Sequence, residues 1–147
     1  MTLPRSKSFW IFQGLGWLLV FYLMYAQVIS AFDYELGVSM GTQESASLIT
    51  EVGVAFWKGF AFADLLYTPL LAIGLFGQLK TPVRAKLLLA AALGITVYWP
   101  LVSLAAVHTA RGANGWYLQG EITYWIVLPL IAVWGLWGLW RLQIEAS

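Results

Sequence analysis

Four apolar stretches constrain this chain more than any other feature. Each is about as long as a helix must be to cross a hydrocarbon core of roughly 30 Å. They cover about 9–32, 54–79, 87–107 and 122–140. In lipid the backbone has no water to bond, so a single stretch can satisfy its own N–H and C=O groups only as a helix. Composition agrees: 61% of the 147 residues are hydrophobic and 10% are charged. A soluble domain carries about a quarter charged residues because its surface must face water. Here most of the surface must face lipid instead. The connections are short, which fixes the order of the helices as up-down-up-down. The expected fold is therefore an all-α integral membrane protein, one four-span transmembrane domain over 1–147.

The charges between the stretches then orient it. Arg5 and Lys7 precede the first span, Lys80, Arg84 and Lys86 lie between the second and third, and Arg141 follows the fourth. Arg111 is the one loop cation on the opposite side, where Asp33, Glu35, Glu44, Glu51 and Glu121 gather. An excess of Lys and Arg marks the cytoplasmic face. Both termini are thus expected in the cytoplasm, in the cell's inner (cytoplasmic) membrane. The first span is about twice as long as a signal-peptide core and lacks a clean small-x-small site near 26–31, so it reads as a retained anchor. Trp10, Trp137 and Trp140 fall near the inner interface, and Trp57, Trp116 and Trp125 near the outer one, where an indole can be apolar and still find a partner.

Several chemistries have no residues to support them. The chain has no cysteine, one histidine and a net charge of +1. Thiolate metal sites, iron–sulfur clusters and multi-histidine sites within this chain are excluded, and no polyanionic partner such as nucleic acid is indicated. No metal ligand, cofactor or catalytic residue is assigned, and no motif names an enzymatic reaction.

Two charged residues lie inside spans. Lys58 is about 6 Å from the outer edge of the second span, and its long stem can reach water there. Asp64 is about 15 Å down, near the midplane, and its side chain is too short to escape. An aspartate at that depth costs about 3 kcal/mol on insertion scales, and no Lys or Arg in the chain shares its depth. Helical spacing places Tyr67 and Thr68 on the Asp64 face, with Trp57, Phe60 and Ala61 above. Thr96, Trp99 and Ser103 share a face of the third span, and Tyr22 of the first lies at similar depth. These seven residues, Asp64, Tyr67, Thr68, Thr96, Trp99, Ser103 and Tyr22, form the candidate ligand- or partner-binding site. The plainer role for Asp64 is a protonated carboxyl gluing two helices together.

Pro69, Pro100 and Pro129 interrupt three spans, each removing a backbone donor. Gly14 with Gly16, Gly74 with Gly77, and Gly135 with Gly138 offer places for close helix approach. Trp134, Trp137 and Trp140 recur every three residues along the fourth span, a stripe for lipid or a partner subunit.

Three functions fit these features. The first is a non-catalytic accessory or assembly subunit of a membrane complex, with Asp64 facing a cation on another membrane chain. The second is a bundle that binds a lipophilic or cationic amphiphilic small molecule among aromatic rings. In architecture and in its buried acid, such a bundle resembles the four-span sterol-isomerase and sigma-2-receptor group. That group uses more than one acid in its site, whereas only Asp64 is deep here. The third is a small proton-coupled transporter working as a homo-oligomer.

Overall fold

The computed structural model describes residues 6–144, with Pro82 described by its backbone alone. Arg5, one of the orienting cations, lies outside the described residues. Every described element is helical. Helix α1 spans Lys7–Leu23 and runs through a π-helical segment, Met24–Val28, into α2, Ile29–Phe32. A short α3 follows at Tyr34–Ser39, then α4 at Ala46–Lys80, α5 at Pro82–Ala110 and α6 at Glu121–Ile144. The α1–α2 unit, α4, α5 and α6 are each long and apolar enough to cross a membrane.

Contacts between the long helices run in opposite registers, which is the up-down-up-down order. Gln13 of α1 bonds Gln78 near the end of α4, and Gly16 faces Leu75. On the next pair, Gly77 faces Ala85, Gly74 faces Leu89 and Tyr67 bonds Thr96. Residue numbers rise on one helix as they fall on the other. The last pair closes the bundle: Phe12 stacks on Trp134 at 4.9 Å between ring centroids, and Gly138 lies against Phe12 and Leu93.

Glycine sets how tightly these helices meet. A Cβ on Gly74 would stand 2.9 Å from the Leu89 Cα, and one on Gly138 would stand 2.7 Å from the Phe12 ring. Gly16, Gly77 and Gly135 are similarly crowded, while Gly14 faces open space. The aromatic stripe of α6 divides, because a spacing of three drifts around a helix of 3.6 residues per turn. Trp134 is buried, Trp137 partly buried and Trp140 exposed.

The polar connection expected over 33–50 is largely helical. The Asp33 side chain accepts from the Leu36 N–H at 3.0 Å and so caps α3, satisfying a donor that a helix start leaves unpaired. The second long helix begins at Ala46, eight residues before the apolar stretch at 54, and is interrupted at Thr50. Thr50 has φ 64° and ψ 168°, a conformation that costs a non-glycine residue about 1–3 kcal/mol. The Leu48 carbonyl, just before that break, accepts from the Tyr117 N–H at 2.8 Å. This ties the 111–120 loop to the head of α4.

Candidate functional site

Asp64 lies halfway along α4 and points into the bundle, 5% exposed. Tyr67 and Thr68, on the same face, are equally buried. Across from them on α5, the Thr96 hydroxyl donates to the Ala92 carbonyl at 2.8 Å. A threonine hydroxyl has one proton, so the Tyr67 hydroxyl must be the donor in the 2.5 Å bond between Tyr67 Oη and Thr96 Oγ1. The Trp99 indole lies beside that hydroxyl. Among the described residues, no hydrogen bond or ion pair reaches the Asp64 carboxyl. Thr68 Oγ1 is buried and also without a partner.

Above this layer, at the end bearing the two long connections, is a cavity of about 540 Å³. The π-helical segment of the first helix, the 41–45 connection, α4, α5, the 119–120 turn and the start of α6 all contribute to its wall. The seven expected site residues therefore separate into two groups. Tyr22, Trp99 and Ser103 line the cavity; Asp64, Tyr67, Thr68 and Thr96 do not and lie in the packed layer. Tyr22 joins the two, since it lines the cavity and is close enough to Asp64 to feel its charge. Its ring is 47% exposed, so it is a wall residue rather than a core one.

Other residues of the cavity were not among those expected from the sequence. Glu44 lines it and is 9% exposed. Burial pushes its carboxyl up from the usual glutamate range, opposed by the Gln119 backbone N–H. The connection that carries Glu44 is pinned in place. The Tyr34 hydroxyl donates to the Glu44 main-chain carbonyl at 3.0 Å, and the Gln43 amide donates to the Ala26 carbonyl at 3.0 Å. Ala26 lies inside the π-helical segment, a kind of widened turn common beside functional sites. Trp57 and Tyr124, both in the lining, pack against each other at 5.7 Å between ring centroids.

Trp57, expected near the outer end of its span and on the Asp64 face, is buried, and among the described residues its indole N–H and the Ser103 hydroxyl have no partner. Lys58, its neighbour in sequence, is exposed, as is Glu51. Among the described residues the ion pair joins Arg111 to Glu121, across the loop before α6. No group of three His, Asp or Glu side chains stands close enough to hold a metal among the described residues.

The chain matches no family model, no curated protein and no solved structure.

Proposed function

We propose that this protein spans the inner membrane four times, with both termini cytoplasmic, and binds an amphiphilic small molecule in the cavity between its long connections. The observation that carries this reading is the cavity itself. Its volume of about 540 Å³ falls within the roughly 300–1,000 Å³ of small-molecule sites. Its wall combines four aromatic and five aliphatic side chains with eight polar ones, a lining with both apolar and polar character. Such a lining suits a molecule with an apolar tail and a polar head.

The accessory-subunit reading makes Asp64 the mate of a cation on a neighbouring chain. A carboxyl turned inward at 5% exposure favours something inside the bundle over a helix docked on its outside. Native mass spectrometry of protein extracted in mild detergent separates the two. The expected result is a bound amphiphile that is lost in Thr123→Trp, because Thr123 is an exposed residue of the cavity wall and the indole would fill the space. A stoichiometric protein partner, retained by Thr123→Trp and unaccompanied by any small molecule, would favour the accessory role.

A further inference from the structure

We infer that the cavity selects an amphiphile with a cationic head, and that Glu44 is the residue that reads the charge. This rests on the proposal that the cavity is a binding site, and adds the chemistry of what enters it. The lining includes one carboxylate, Glu44, and no Lys, Arg or His. Four rings, those of Tyr22, Trp57, Trp99 and Tyr124, complete the wall around it. Ring faces attract cations, the more strongly when water is excluded. A carboxylate beside them adds direct Coulomb attraction in a medium of low dielectric.

The same lining works against other heads. A phosphate or sulfate would meet Glu44 without any basic side chain to balance it, and a neutral head would gain nothing from the charge. Nearby basic residues do not reach in: Arg111 is held by Glu121, and Lys58 is exposed and not part of the lining. Glu44 does not depend on a flexible loop for its placement, since the Tyr34 and Gln43 bonds fix the backbone on both sides of it. Tyr22 and Tyr124 lie in the same lining as Glu44. The upward shift of Glu44 fits a buried carboxylate that has no cation beside it.

The test uses the full chain in phosphatidylcholine nanodiscs and three ten-carbon probes: decyltrimethylammonium, decanol and decyl sulfate. Binding is read from tryptophan fluorescence, as Trp57 and Trp99 line the cavity. The parent should bind the ammonium about tenfold more tightly than decanol, and decyl sulfate least. Glu44→Gln should remove that preference while leaving decanol affinity unchanged, which also serves as the check on folding. Glu51→Gln, an exposed carboxylate at the same end outside the lining, should change nothing.

Equal affinity of the parent for ammonium and decanol would overturn the inference and leave the cavity as a binding site. A loss in Glu51→Gln matching that in Glu44→Gln would also overturn it, because the attraction would then belong to the surface. Failure of all three probes to bind the parent would remove the binding site itself. If Glu44→Gln does not fold, Glu44→Asp takes its place: the parent's preference tests the cationic selectivity, and a preference unchanged by shortening the Glu44 side chain would overturn its role.

Discussion

A buried carboxyl is costly to keep, and Asp64 and Glu44 keep theirs in different ways. Asp64 has no hydrogen bond or ion pair among the described residues, so removing its charge breaks nothing that holds the helices together. Asp64→Asn should leave thermal stability within about 1 kcal/mol of the parent, since interhelical polar contacts in membranes are modest. If Asp64 helps hold an occupant through Tyr22, the amount of copurified amphiphile should fall. An Asp64→Leu protein that is more stable than the parent and still retains the full amount would reduce the carboxyl to a tolerated polar residue. Glu44 makes a prediction in pH. Its raised folded value means that the folded protein holds the proton more tightly than the unfolded chain does. Its burial therefore costs nothing below the ordinary glutamate range, and stability is lost as pH rises through the raised value. Glu44→Gln should match the parent in acid and exceed it at neutral pH, as read by thermal unfolding at a series of pH values. A parent and variant that track each other across the range would mean that the carboxyl is not desolvated in the folded protein.

At the scale of the helices, the long apolar elements were legible because hydrophobicity summed over about twenty residues leaves few alternatives. The helical segments at 34–39 and 46–53 were not, because their residues are polar or mixed and their helicity depends on local capping by Asp33 and on packing against the 111–120 loop. The candidate site was half legible for the same reason. Periodicity along α4 and α5 put Asp64, Tyr67, Thr96 and Ser103 on inward faces, all of them buried. It could not find Glu44 or Tyr124, since they reach the cavity only through the route of the 41–45 connection and the start of α6. The same spacing put Trp57 above Asp64 on the inward face of α4, and it is buried there. Thr50 offers a test of the junction. Thr50→Gly should raise the melting temperature, because relief of about 1–3 kcal/mol of backbone strain exceeds the entropy cost of glycine, about 0.5–1 kcal/mol. Gly115, at φ 74°, packs against the Thr50 methyl. Gly115→Ala should therefore be strongly destabilising in the parent and less so in Thr50→Gly, and additive effects in that cycle would show that the two residues do not touch. Deeper in the bundle, Gly74→Leu would drive a side chain into the Leu89 backbone. It should cost about 1–3 kcal/mol or more, as overpacking does.

The whole molecule carries large apolar side chains around its perimeter, among them Leu18, Phe21, Leu66, Leu87, Leu130 and Val133, all more than half exposed. Such exposure on a soluble monomer would drive aggregation, whereas the proposed four-span topology turns these side chains toward lipid. The direction of insertion is then a matter of charge. Lys80, Arg84 and Lys86 surround the tight turn between α4 and α5, and the proposed topology puts this cluster on the cytoplasmic side because Lys and Arg are enriched there. The acidic residues Asp33, Glu35 and Glu51 sit at the opposite end, on or beside α3 and the head of α4. The chain has no cysteine of its own, so single cysteines report without background. Ser39 and Asn114 at the long-connection end and Thr81 at the tight turn are all exposed, which makes their reactivity a reading of sidedness rather than of burial. With an impermeant maleimide added to intact cells, cysteines replacing Ser39 and Asn114 should label fully, and one replacing Thr81 should label only after lysis. The reverse pattern would put the cavity on the cytoplasmic side, and any amphiphile it binds would then be drawn from the inner leaflet instead of the outer. Labelling of all three positions in intact cells would mean that the helices do not form a single membrane-spanning orientation.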